Sequence, residues 1–397
     1  MYPRISDLIN DLTGLNLKLP IQSFGFFVAL AFLAAYYLIQ QEVRRRQALG
    51  EFPTRPLRVM TGGPIPMSDV LVTLLVYSVL GYKFGLMVED YEGFYSDPQG
   101  ALFSLRGSWL IGLLAGLAGG GYQFFLYQQR RNTKPVYQDI QAGLELELGT
   151  VFTIAFVAGI LGAKVFHNLE YWDDFVADPI GALTSFSGLT FYGGLICATV
   201  AIAIYIHRKG YKILPFADAV APALMLGYAI GRIGCQMAGD GDWGINNTAP
   251  KPGWMSFLPD WMWSFTYPHN VLNQGVDIPG CTGDFCRELA IPVFPTPFYE
   301  TLMAGALFVG LWAIRKRLPY WGQLTSIYLI VNGIERFLIE KIRVNSTYDI
   351  NGFSVTQAEL ISSALVLFGL VLLYLTTSRW KLSRENPTIK PAQTPAA

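Results

Sequence analysis

Charge is what this chain has least of. Lys, Arg, Asp and Glu make up only 15% of its 397 residues and cancel to a formal net charge of zero, while 52% are hydrophobic and 14% aromatic. A soluble domain carries about a quarter charged residues, so that class is excluded and a polytopic membrane protein is implied. No nucleic-acid-binding signature is present. Cysteine is scarce too, with four in all, and histidine scarcer, with three. Cys281 and Cys286, in "PGCTGDFC", suit a local disulfide in an oxidising compartment. Metal binding by Cys281 and Cys286 with His269 is the rival reading; two thiols and one distant histidine do not make a four-ligand zinc site, so no metal is expected. Cys197 and Cys235 fall inside apolar runs and read as packing residues. The first apolar run lacks a small-residue cleavage site, so it reads as an anchor that is retained.

Apolar runs are abundant. Windows of about 20 residues predict about nine membrane-spanning helices, at roughly 21–40, 69–88, 108–128, 148–166, 188–207, 216–236, 297–315, 321–340 and 357–377. Loop charge orients the stack. Arg44, Arg45, Arg46, Arg55 and Arg58 follow the first run; Arg130, Arg131 and Lys134 the third; Arg208, Lys209 and Lys212 the fifth; Arg315, Lys316 and Arg317 the seventh; Arg379, Lys381 and Arg384 the ninth. The alternating loops are acidic or nearly free of cations, as in "HNLEYWDDFVADP". The N-terminus is therefore expected outside and the C-terminus in the cytoplasm. Residues 1–20 read as a short external arm, 21–377 as the membrane domain with an external head at 237–296, and 378–397 as a Pro-rich disordered tail.

One stretch breaks the apolar pattern. "GYAIGRIGCQMAGDGDWG" puts Arg232 inside a predicted span, where a charge costs a few kcal/mol and therefore faces a partner or a polar substrate. The spacing places other polar groups at the same depth. Arg336, Glu340 and Arg343 lie in the last turns of the eighth run, with Arg336 and Glu340 on one face at i and i+4. Tyr299 and Glu300 open the seventh run, and Tyr192 opens the fifth. No comparable set is expected deep in the inner half. Gly231 and Gly234 flank Arg232 and permit close approach, and arginine forks suit a phosphate. Asp240 and Asp242 beyond it form a plain turn, a cation ligand, an orienting acid or a general base; the regular spacing of a calcium loop is absent.

These residues resemble the prolipoprotein diacylglyceryl transferases. The resemblance rests on "GYAIGRIGCQMAGDGDWG" for the family signature, on "TFYGGLI" for its His-Gly-Gly-Leu-Ile element and on "FPTPFYE" for its His-Pro-Ser-Gln-Leu-Tyr-Glu element. "ERFLIEKIR" matches its second essential arginine, with "LGAKVFHNLE" and "FADAVAPALMLGY" in support. It spans roughly residues 20–40 and 147–377, and makes the hairpin at 68–128 an addition to a seven-helix core. It implies transfer of the diacylglyceryl group of phosphatidylglycerol to the lipobox cysteine of preprolipoproteins, without a cofactor, near the outer leaflet of a bacterial inner membrane.

Carried over by position, Arg232, Arg336, Tyr192, Asp240 and Glu340 would be catalytic. Gly193, Gly194, Gly244, Asp242, Tyr299, Glu300, Arg343 and Phe24 would line the substrate site. Tyr192 stands where the family has histidine, Cys235 where it has asparagine and Phe24 where it has tyrosine. The signature's glutamate corresponds to Asp240, or to Asp242 after an insertion. A non-catalytic lipid-binding homologue or a phospholipid transporter is the alternative; a transporter should show repeat symmetry and helices broken at the midplane, and the sequence shows neither.

Overall fold

A computed structural model describes residues 1–61, 63–96, 98–184, 190–345, 347–350 and 353–385. Nine long helices dominate it: α1 (Ser23–Ala48), α2 (Met67–Glu89), α3 (Trp109–Arg130), α4 (Leu144–Glu170), α5 (Phe191–Arg208), α6 (Ile213–Ala238), α7 (Thr296–Ile314), α8 (Gln323–Glu340) and α9 (Gln357–Glu385). Eight of them are long and apolar enough to cross a membrane, and the protein is polytopic. The exception is α8. Its 18 residues include Glu335, Arg336 and Glu340, so its apolar character falls short although its length does not. The tail beyond Glu385 lies outside the described residues, and α9 continues past the expected end near 377.

Two compact units are present. The smaller contains Tyr2–Ser23 and Arg55–Gln141. In it α2 and α3 pack side by side, joined at the strands Arg55–Thr61 and Val136–Ala142, which pair with each other. The larger contains Phe24–Thr54 and the chain from Ala142 onward, and it carries the predicted site.

Within the larger unit α5 lies along α4. Gly193 and Gly194 make this possible: a β-carbon on Gly193 would fall 2.3 Å from Cβ of Phe166, and one on Gly194 would fall 2.8 Å from the Gly159 carbonyl. Helices α6, α7 and α8 form a second group. Met225, Ala229, Ala304, Leu311 and Leu324 build its buried core.

This group has charged clusters at both ends. At the first end Glu42 of α1 is buried and receives Nη2 and Nε of Arg45 at 2.5 and 2.9 Å, Nε of Arg46 at 3.1 Å and Nε of Arg315 at 3.3 Å. Arg46 continues to Glu51 at 2.8 Å, and Trp321 donates to the same carboxylate at 3.1 Å. Asp218 of α6 accepts from the amides of Gly322 and Thr325 at 2.7 and 2.8 Å and from the Thr325 hydroxyl at 2.7 Å. It thereby satisfies amides at the start of α8 that a helix leaves without partners. The helix α1 runs to Ala48, so Arg45 and Arg46 are packed helix residues and not the loop charges that the sequence suggests.

Candidate active site

Asp218 and Arg232 are 14 residues apart on α6, about 21 Å at the rise of a helix. The second cluster therefore occupies the far end of the same three helices. Tyr228 and Arg232 stand at i and i+4, which puts both on one face of α6. The helix stops at Gly239, whose φ of +63° is left-handed, and the chain turns through Asp240 and Asp242. There the amide of Asp242 donates to Oδ1 of Asp240 at 3.3 Å. Gly244 then pairs as an isolated bridge with Arg343. A β-carbon on Gly244 would stand 2.4 Å from the Ile342 carbonyl, so the bridge requires glycine, and it sets Asp242 beside Arg343.

Glu300, one turn into α7, is the hub. It is fully buried. Oε2 lies 3.1 Å from Nε of Arg232, and Oε1 lies 3.2 Å from Nη1 of Arg343 and 3.7 Å from Nη1 of Arg336. The Tyr228 hydroxyl donates to the same Oε1 at 2.9 Å. Asp242 closes the other side, paired with Nη1 of Arg232 and with Nη2 of Arg343, the latter at 2.7 Å. Glu340 holds Nη2 of Arg336 at 2.8 Å and accepts from Asn345 at 2.6 Å. Three guanidiniums and their carboxylates thus meet at the ends of α6, α7 and α8.

The two aspartates of the turn differ in their titration. Burial pushes the Asp240 carboxyl up, and the neighbouring charge of Asp242 adds to this. Burial acts on Asp242 in the same sense, but Arg232 and Arg343 outweigh it and hold Asp242 below the usual carboxylate range. Cys235, Asp240 and Asp242 bring possible ligand atoms within 4.8 Å of one another. They do not suit a cation, because both oxygens of Asp242 are taken by guanidiniums and Nη1 of Arg232 lies 3.7 Å from the Cys235 sulfur.

The predicted residues divide. Arg232, Arg336, Arg343, Glu300, Glu340 and Asp242 come together, with Asp240 and Gly244 in the adjoining turn. Phe24 is adjacent through its backbone, which meets Gly234, while its side chain is exposed. Tyr299 is turned away: its hydroxyl donates to the Met262 carbonyl at 2.7 Å. Tyr192 rests its ring on Phe191, and among the described residues no hydrogen bond links it to the cluster. Gly193 and Gly194 serve the α4–α5 contact. Sequence reading missed Tyr228 and Glu335, whose Oε1 lies 3.4 Å from the Tyr228 hydroxyl. The signal was available as a tyrosine one turn before Arg232 and a second charge beside Arg336.

The segment between α6 and α7 covers this end. Tyr267 is completely buried, its ring tilted against those of Trp243 and Phe265, and its hydroxyl donates to Gln236 at 2.8 Å. Cys281 and Cys286 are disulfide-bonded, which removes the metal alternative for those thiols; His269 is engaged with the Phe285 carbonyl at 2.7 Å.

Comparison with known proteins identifies the family. The family model described as Prolipoprotein diacylglyceryl transferase matches residues 116–375. That range contains the whole Arg232 cluster, starts inside α3 and leaves out α1. Similar proteins named phosphatidylglycerol–prolipoprotein diacylglyceryl transferase occur in several bacteria. The one from Corynebacterium glutamicum is 30% identical over 240 residues, 59% of this chain and 69% of that protein. Those from Dehalococcoides mccartyi and Leptospira interrogans are 27% and 26% identical over 236 and 310 residues, covering 58% and 66% of this chain and 78% and 84% of theirs. With more than half its length matched, the chain belongs to the prolipoprotein diacylglyceryl transferase family.

Proposed function

We propose that this chain transfers the diacylglyceryl group of phosphatidylglycerol to the cysteine thiol of a preprolipoprotein lipobox, and releases glycerol phosphate. The sulfur forms a bond to the diacylglyceryl carbon as the bond from that carbon to the phosphate oxygen breaks. The thiol proton must go to a base, and the departing phosphate must be stabilised as it gains charge.

The observation that carries this reading is the convergence of Arg232, Arg336 and Arg343 on buried Glu300. Guanidiniums fixed in advance stabilise a leaving phosphate without reorganising when the bond breaks, and their forks match its oxygens. Asp242 is the most exposed acid of the cluster, with 36% of its side chain accessible, against none for Glu300 and Glu340. A phosphate would therefore reach Arg232 and Arg343 by displacing Asp242, with Glu300 and Glu340 keeping the arginines in place. Gly244 keeps Arg343 at the turn. Loop charge supports putting this end at the outer leaflet of a bacterial inner membrane, with the segment 237–296 as an external head.

Purified protein given labelled phosphatidylglycerol and a lipobox peptide should form a thioether and release glycerol phosphate. Phospholipid bound or moved between leaflets without thioether would replace this reading with a lipid-binding or transport role.

A further inference from the structure

Of the glutamates at the Arg232 end, Glu335 alone is held by no guanidinium within 4.0 Å among the described ion pairs. Asp242, Glu300 and Glu340 each face guanidiniums within 4.0 Å, and a carboxylate so held accepts a proton only by giving up an ion pair. Glu335 is buried, at 3% exposure, and no guanidinium reaches it within that distance among the described ion pairs. Its Oε2 is a buried atom with no hydrogen-bond partner. An orphaned buried carboxylate oxygen is costly to keep, and it marks a place where a proton or a donor is to arrive. The Tyr228 hydroxyl stands between Oε1 of Glu300 at 2.9 Å and Oε1 of Glu335 at 3.4 Å, and its ring lies 5.4 Å from the Arg232 guanidinium.

We infer that Glu335 is the proton acceptor of the transfer, reached through Tyr228, and that this pair supplies the base function which Tyr192 is not placed to supply. This rests on the reading of the chain as a transferase. As the lipobox sulfur bonds to the diacylglyceryl carbon, its proton passes to the Tyr228 oxygen while the phenolic proton passes to Glu335. The carbon–oxygen bond breaks, and the electron pair leaves on glycerol phosphate. Atoms and charge balance with no further reactant, and Glu335 returns its proton to water or to the released phosphate. The groups that face Glu335 and would tune it are Tyr228 and Arg232 from α6, Glu300 from α7 and Arg336 beside it on α8.

The test is steady-state thioether formation by the full-length protein from about pH 5.5 to 9, with phosphatidylglycerol and a lipobox peptide, for Glu335→Gln, Glu335→Asp and Tyr228→Phe. Glu335→Gln keeps the contact with Tyr228 but takes no proton. It should lower kcat by about 10²-fold or more, the scale of a lost general base, with KM for the lipid near wild type. The acid limb of the pH–rate profile should vanish. Glu335→Asp should retain part of the rate with that limb displaced, and Tyr228→Phe should lower kcat in the same way as Glu335→Gln. Glu335→Gln within about threefold of wild type with the limb intact, or a loss confined to KM, would overturn the assignment. Should Glu335→Gln fail to fold, Glu335→Asp and Tyr228→Phe decide: wild-type profiles in both overturn it. Wild-type protein that forms no thioether overturns the transferase reading itself, a different result from an active wild type with an active Glu335→Gln.

Discussion

The two ends of α6, α7 and α8 carry similar charges in different states of completion. At the Glu42 end every charged group is committed: Glu42 to three arginines, Arg46 also to Glu51, and Asp218 to three donors at the start of α8. At the Arg232 end four of the five buried side-chain atoms without a hydrogen-bond partner among the described residues are found together: Glu335 Oε2, Arg336 Nη1, Glu340 Oε2 and Arg343 Nε. The fifth is Gln47 Oε1. Arg336 Nη1 and Glu340 Oε2 keep ion-pair contacts outside hydrogen-bond geometry. Charge density is thus a poor guide to function, because a satisfied network has nothing left to offer a ligand. Unfilled hydrogen-bonding capacity in a buried place distinguishes the end proposed to bind substrate from the end that braces.

The largest expected effect separates the ends by activity. Arg232→Lys keeps the charge but loses the fork that spans Asp242 and Glu300, and transfer should fall by about 10²- to 10³-fold. The melting temperature in detergent should change little. Near-normal turnover would put Arg232 with the bracing residues and dissolve the distinction.

The converse experiment is at the bracing end. Asp218→Ala leaves two backbone amides and a hydroxyl at the start of α8 without their acceptor, and removes an anion 4.0 Å from Arg46. Each unsatisfied buried group costs about 1–3 kcal/mol, so a loss of about 2–5 kcal/mol in stability is expected. Turnover per folded molecule should stay near wild type. A variant that melts normally but is inactive would mean that the bracing end reaches into the chemistry.

A smaller, pH-dependent effect sharpens the comparison inside the active end. Asp242 is held low by its arginines, so its contribution to stability is present above the ordinary aspartate pKa and is lost as pH falls through its lowered value. Asp240 is held high, so its charged form is a burden at neutral pH and is relieved on protonation. Asp240→Asn should therefore raise the melting temperature slightly at pH 7, with the gain shrinking as pH falls through the titration of Asp240, whereas Asp242→Asn should lower it. Melting curves for both variants across that range check the signs. A lower melting temperature for Asp240→Asn at pH 7 would assign the Asp240 charge a structural role.

Sequence made depth legible but not direction. Arg232 was visible because a charge in an apolar run has a high cost, and Arg336 with Glu340 because i and i+4 share a face. The position of Glu300 as hub was not visible: the sequence places it one turn into α7 but does not say that Arg232 from α6, Arg336 from α8 and Arg343 from just past the end of α8 converge there. The bracing cluster was misread because Arg45 and Arg46 follow an apolar run and look like loop charges, whereas α1 is long enough to carry them into packing. Helix α8 was legible as a helix, yet its three charges within 18 residues belong to the site, and they are why its apolar character falls short.

Tyr192 tests that lesson with the smallest expected effect. Its place in the sequence puts it at the level of Arg232, which is why it looked like a site residue. Gly193 and Gly194, the next two residues, are committed to the contact with α4, and the ring of Tyr192 meets that of its neighbour Phe191 edge-on. Among the described residues its hydroxyl makes no hydrogen bond to any member of the cluster. Removing it should then matter little: Tyr192→Phe is expected to form thioether within about twofold of wild type, the scale of a substitution away from buried networks, about 0.5 kcal/mol. Under the same conditions Tyr228→Phe, on the face of α6 that carries Arg232, should be strongly impaired. A loss of about 10²-fold in Tyr192→Phe would mean that α5 turns toward Arg232 when lipid and peptide are bound, and that depth along the helix was the better guide after all.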